Sequence, residues 1–271
     1  MHAENTQRIF FKRSSPVYVM RLLGGLSTDK AQQICNHVRE IVGAEYTVRE
    51  AIKAASKRWK GFSPKQFCSR LIGQAYHEHG YKIVSNPNYC RPGDFLKSRN
   101  LMKVSNPTVL VSDPEVRFWK AQTNGSPEAM RAATNYILDG ARSIDPNVQS
   151  FNDMCRLIMS HPEHDEFINN LHIESGYYDI WKMDYDGFEW RWDIEQMNQV
   201  RDTESVRIYC QSTVMGEPRD VNRFTESLAG LEFNHSRYPR ETFFHLIKLY
   251  QRLVGMHECR FDTATQWLQT H

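Results

Sequence analysis

The chain has 271 residues, 40% hydrophobic and 24% charged, with a formal net charge of +2. It contains no run of about 18 uncharged apolar residues, the minimum for a membrane-spanning helix. Its 12% aromatic content, with 6 Trp, is too rich for a chain that stays disordered. The near-neutral total hides a division. Residues 1–125 carry 20 Lys+Arg against 9 Asp+Glu, a net of +11, and residues 126–271 carry 14 against 23, a net of −9. Opposite signs predict two units with different tasks. The basic half either docks on the acidic one or offers a face to an anionic partner.

The chain opens with two short runs rich in β-branched and aromatic residues, Arg8–Phe11 and Val17–Leu23, which predict strands. Gly24-Gly25 ends the second. Ser27 then reads as an N-cap, and Ala31, Ile34, Cys35, Val38, Ile41 and Val42 follow the helical period up to Gly43. Ser63-Pro64-Lys65-Gln66 reads as a capping box that opens a second helix, with Leu71, Ile72, Ala75 and Tyr76 on its apolar face and Gly80 as its stop. Prolines 87, 92, 107 and 114 predict loops with short strands such as Thr108–Val111. The boundary is expected at Thr123-Asn124-Gly125-Ser126-Pro127, where charge sign and composition change together. Beyond it, Ser126-Pro127-Glu128 caps a helix, and further helices are predicted over about 147–160, 163–172, 187–200, 218–230, 239–255 and 261–270. The fold class is α+β, with domains at 1–122 and 127–271.

The six cysteines, Cys35, Cys68, Cys90, Cys155, Cys210 and Cys259, are widely spaced and form no C-x-x-C pair. That pattern suits a reducing compartment, and Met1-His2-Ala3-Glu4-Asn5 lacks the layout of a secretory signal, so a cytoplasmic location is expected. Cys68 is the first place to look for chemistry. A thiolate is the reactive form of cysteine, and helix N-termini and nearby cations favour it. From the capping box Cys68 falls in the second turn, where the dipole weakens; if that first turn unwinds, it sits at the terminus.

Val17–Arg21, Gly24-Gly25-Leu26-Ser27, the amphipathic helix, Gly43-Ala44-Glu45-Tyr46, Phe67-Cys68-Ser69 with Ala75-Tyr76, and Pro92-Gly93-Asp94-Phe95-Leu96-Lys97-Ser98 occur in that order. Together they resemble the circularly permuted papain-like cysteine hydrolases of the NlpC superfamily, in particular the YiiX-like branch, over residues 1–104. The resemblance implies a thiol-based hydrolase of amide, acyl or thioester bonds, with Cys68 as nucleophile and Tyr46 beside the oxyanion site. In permuted members the general-base His lies on a strand upstream of the one matching Val17–Leu22, and His2 matches the strand of the polar orienting residue instead. Three readings stay open: the base lies on a segment ahead of this sequence, His2 serves as the base in a shortened domain, or the domain is non-catalytic. Arg70 stands where many relatives carry Glu. The alternative function is therefore an interaction protein on a degenerate hydrolase fold, its helical half binding a protein partner.

Other patterns carry less. His77 and His79 follow Cys68 on one helix, and His79 is about 16 Å along the axis, too far for proton transfer. His37 is expected on a solvated face. His161-Pro162-Glu163-His164, with Asp165 and His172, is metal-like in composition but lacks the His-Glu-x-x-His spacing; caps and first-turn acids account for it, and no metal or cofactor is expected. The dense aromatics from Tyr177 to Trp192 read as core or as a partner surface, and the acidity of that half argues against nucleic acid. Lys53, Lys57, Arg58, Lys60 and Lys65 form a basic run that is either solvated or a guide for an anionic substrate.

Overall fold

The computed structural model describes residues 10–12, 14–41, 44, 67–121 and 125–271. By contact the chain divides into two compact units, one of residues 1–110 and 142–155, the other of residues 111–141 and 156–271. The division by charge, at 122/127, follows sequence character and does not coincide with these units. The described chain is mostly helical with one small antiparallel sheet, and to that extent it is α+β.

In the first unit β1 (Met20–Leu22) pairs with β2 (Leu101–Lys103), Met20 opposite Lys103 and Leu22 opposite Leu101. Side chains alternate along a strand, so Met20, Leu22 and Leu101 turn partly inward while Met102 is half exposed. The paired strand is shorter than the Val17–Leu23 run because Tyr18 and Val19 lie exposed, and beyond it the ladder keeps one bond at each end, Val104 N–H to Val19 O and Leu23 N–H to Asn100 O. Thr108–Val111 is not a strand: it joins no ladder among the described residues, and Val109 and Leu110 are exposed. A β-propensity run without a partner has no cross-strand pairs to stabilise it. Of the expected Arg8–Phe11 strand, Phe10 and Phe11 have no regular structure and the rest lies outside the described residues.

Helix α1 (Thr28–Glu40) starts where expected, with Ser27 accepting from the Lys30 amide. Ile34 is its buried anchor, whereas Cys35 is exposed, so the apolar stripe is narrower than the sequence suggests. Helix α2 (Cys68–Glu78) packs on α1, and α3 (Pro92–Leu96) follows, its Asp94 carboxylate accepting from the Arg91 amide at 2.8 Å. Gly80, at φ +88°, closes the turn after α2 in a conformation that disfavours a side chain.

The second unit contains α4 (Asp113–Ala121), most of α5 (Ser126–Ile144), the C-terminal half of α6 (Phe151–Ser160), α7 (Asp165–Glu174), α8 (Ile180–Gly187) and α9 (Ile194–Gln199). It ends in two long helices, α10 (Thr203–Arg237) and α11 (Glu241–Thr270). Three residues join them. Contacts between Arg207 and His271, Glu217 and His257, Phe224 and Tyr250, and His235 and Phe244 fall as one chain rises and the other descends, which defines an antiparallel hairpin. The predicted helices 218–230, 239–255 and 261–270 are thus parts of two continuous ones. Pro218 removes one helical amide and Gly255 weakens propensity, but a partner helix along the whole length outweighs both local signals.

One core cluster gathers Met197, Val206, Tyr209, Cys210, Ala264 and Trp267 between α9, α10 and α11. The start of α11 is capped from elsewhere in the chain. Asp165 accepts from the amides of Glu241 (2.6 Å) and Thr242 (3.3 Å), while Arg240 donates to the Ile158 and Met159 carbonyls at the end of α6. Asp165 thereby satisfies orphan amides at the start of α11, and Arg240 satisfies orphan carbonyls at the end of α6. Among the described residues no helix is long and apolar enough to cross a membrane.

Candidate functional site

Helix α2 begins at Cys68, and the Ser63–Gln66 box lies outside the described residues. Phe67 is its N-cap in an extended conformation (φ −145°, ψ 156°) and makes no side-chain cap bond. Cys68 is therefore the first helical residue, at the positive end of the helix dipole. Its side chain is exposed, while Phe67, Ser69 and Arg70 on either side are buried. That alternation follows from how the loop 86–91 grips the helix start. Ser69 Oγ donates to the Cys90 carbonyl (2.7 Å), the Cys90 thiol points back to the Ser69 carbonyl (2.9 Å), and Arg70 Nε donates to the Asn88 carbonyl (2.8 Å). The Arg70 guanidinium also lies 4.6 Å from the Phe67 ring centroid and 5.4 Å from that of Tyr89. Gly73 allows the close approach, since a Cβ there would stand 2.9 Å from Cys90 Sγ and 3.1 Å from the Pro87 backbone.

The two neighbouring cysteines differ chemically. Burial pushes the Cys90 thiol up to about 11, so at neutral pH it stays protonated. Cys68 faces solvent at a helix N-terminus. Its expected companions, His2 and Tyr46, and the basic run Lys53–Lys65 lie outside the described residues. Among the described residues no imidazole hydrogen-bonds the Cys68 thiol. His77 is in the last turn of α2 and His79 is its C-cap, at the far end from Cys68. His37, expected in solvent, is half buried with its ring edge-on to His79 at 5.7 Å.

The sequence segment 161–172 does not converge on a metal. His161 and Glu163 form an exposed 3.3 Å pair, Asp165 caps α11, and His172 is fully buried. Among the described residues the one trio with ligand atoms within 4.8 Å of one another is Glu217, Asp220 and His257. Arginines already hold its carboxylates: Arg260 bonds Glu217 and Arg223 pairs with Asp220 at 3.3 Å, while His257 Nδ1 lies 2.5 Å from Glu217. Burial raises the Glu217 carboxyl, but the His257 hydrogen bond and the Arg260 charge outweigh it and hold the group below the ordinary carboxylate range. Asp184 extends the network to Arg191 at 3.1 Å. This is a buried ionic brace between α8, α10 and α11.

The aromatic run from Tyr177 to Trp192 is partly core and partly open to solvent. Ile180 and Arg191 are buried, and Trp190 packs against Tyr209 at 4.8 Å. Trp181, Tyr185 and Trp192 instead line an open groove of about 790 Å³ against one face of α11. The residues of α11 that complete it, Lys248 and Arg252, were not singled out by the sequence. Their i, i+4 spacing was the available signal.

Comparison with protein-family models, with curated proteins and with solved structures gives no match.

Proposed function

We propose that the chain is a thiol hydrolase of amide or acyl bonds with Cys68 as nucleophile. The observation that carries this reading is the start of α2: an exposed thiol on the first helical residue, between buried neighbours that fix its position. Helix N-termini favour thiolate, and a fixed backbone limits the reorganisation needed for attack. In this reading the His2 imidazole takes the Cys68 thiol proton, the thiolate adds to the substrate carbonyl, and Tyr46 with a helix-terminal amide takes the oxyanion. Collapse expels the amine or alcohol, which takes a proton from the His2 imidazolium. Water, deprotonated by the imidazole, then cleaves the thioester, releases the acid and regenerates the thiol. The Arg70 guanidinium, at the position where many members of the family it resembles carry Glu, supports the helix start and has no part in the step.

The test is alkylation by iodoacetamide across pH, followed residue by residue in the wild type, Cys68→Ala and His2→Ala, beside turnover of a chromogenic ester. Cys68 is expected to react fastest of the six cysteines below pH 7, and its lead is expected to shrink in His2→Ala. A Cys68 rate no higher than those of Cys35 and Cys259, the other exposed thiols, overturns the nucleophile. A fast thiol without turnover favours the non-catalytic reading, in which the fold is a scaffold.

A further inference from the structure

The groove on α11 has the composition of a recognition site and lies in a different unit from Cys68. One wall is aromatic. Trp181 and Tyr185 come from α8, and Trp192 is anchored by its indole N–H, which donates to the Met256 carbonyl at 3.0 Å. The rings are preset: Tyr185 and Trp192 lie 5.3 Å apart, and Tyr178 at one end stacks on buried His172 and on His245, at 5.3 and 5.4 Å. Such pre-arranged, half-exposed rings bind at low entropic cost.

Cations complete the lining. Lys182, Lys248 and Arg252 line the groove against a single carboxylate, Asp179. Lys182 is already paired with Asp179 at 2.7 Å. Lys248 and Arg252 have no carboxylate partner among the described residues. They stand one turn apart on the same helical face, and both are exposed. Aromatic rings orient them instead: Arg252 lies 4.5 Å from the Trp181 ring centroid and Lys248 lies 4.1 Å from that of Phe244. A guanidinium held in this way keeps N–H donors for a carboxylate.

Two cations without a carboxylate partner among the described residues are therefore concentrated in a half of the chain whose net charge is −9. That balance sets the class of occupant. A nucleic acid brings a long row of phosphates that the surrounding acid repels. A short segment with a few carboxylates fits the local patch alone, and the open shape suits an extended chain. We propose that this groove docks an acidic, aromatic-containing peptide segment of a partner protein. Its carboxylates engage Lys248 and Arg252, and its rings pack against Trp181, Tyr185 and Trp192. This inference stands independently of the reading of Cys68.

Cys259 supplies a local reporter, because it is exposed and lines the same groove. The full chain is treated with a maleimide, with and without a random Glu–Tyr copolymer in large excess, and modification is mapped by residue. The copolymer is expected to slow Cys259 by about tenfold, and the double variant Lys248→Glu/Arg252→Glu to abolish that protection. The milder Lys248→Gln/Arg252→Gln pair, checked for wild-type helicity, is expected to weaken it, as is Trp181→Ala. Cys68→Ala is expected to behave as wild type here, so failure of the hydrolase reading leaves this result unaffected. Absence of protection, or equal protection in the charge-reversed variant, overturns the proposal. Protection by a single-stranded RNA oligomer but not by the copolymer overturns it in favour of nucleic acid.

Discussion

Each of the two units buries a charged group, and each puts it to a different use. In the first, the Arg70 guanidinium is buried beside the Asn88 carbonyl and the rings of Phe67 and Tyr89, bracing a loop that holds a short helix start. In the second, buried Glu217 is matched by Arg260 and His257 between helices of 35 and 30 residues. Bonded to a carbonyl of the 86–91 loop, Arg70 helps to position a nearby group, the exposed thiol of Cys68. A cation satisfied by a carboxylate locks two elements together, because removing either partner leaves the other charged and dry. Positioning and locking are different uses of the same residue type, and each can be broken separately.

The largest effect is expected from breaking the lock. Glu217→Ala leaves Arg260 and His257 without their main acceptor, and a loss of about 3–5 kcal/mol is expected in urea unfolding followed by helix signal. Glu217→Gln, which keeps one acceptor, is expected to cost less. If Glu217→Ala unfolds like the wild type, the brace contributes nothing and the comparison fails.

Next comes the buried imidazole of the second unit. Burial pushes His172 down to about 4, with its Nδ1 bonded to the Ile168 carbonyl at 2.8 Å. Its folded value lies below the ordinary one of about 6.5, so the unfolded chain takes up the proton first. The contribution is present above pH 6.5 and is lost as pH falls toward 4, by about 3 kcal/mol in all. His172→Phe, which cannot titrate, is expected to flatten that part of the stability profile. Parallel profiles for the two proteins would remove His172 as the cause.

The smallest of the three sharpens the first unit. Gly73→Ala sets a Cβ 2.9 Å from Cys90 Sγ. The gain in helix propensity is outweighed by the displaced loop, at an expected net cost of about 1–3 kcal/mol. The reading that matters is chemical: Cys90 is expected to become reactive toward thiol reagents, and the advantage of Cys68 is expected to fall. Unchanged reactivity at both thiols would show that the loop does not hold the helix start.

Several of these features were legible from residue order. Ser27 as an N-cap, the opening of a helix at Ser126-Pro127 and the stop at Gly80 are local signals, each satisfied by groups within a few residues. The exposed Cys68 was legible as a candidate, but its place on the helix was not. Its place at the first helical position is held by the 86–91 loop reaching the backbone at Ser69, about 20 residues away in sequence. The groove was half legible: the aromatics formed one conspicuous run, but Lys248 and Arg252 lie about 60 residues later and meet them only because α11 folds back.

By itself, then, the order of residues determined the Ser27 cap, the helical character of residues 126–271, the separation of basic from acidic halves and the candidate thiol. Those depend on hydrogen bonds and periodicities that close within a turn or two. Tertiary structure alone decided that Pro218 and Gly255 sit inside unbroken helices, that one cysteine beside α2 is open while the other is sealed, and which cations go unpaired. Each of those turns on partners far apart in sequence, where packing along a whole helix outweighs the preference of any one residue.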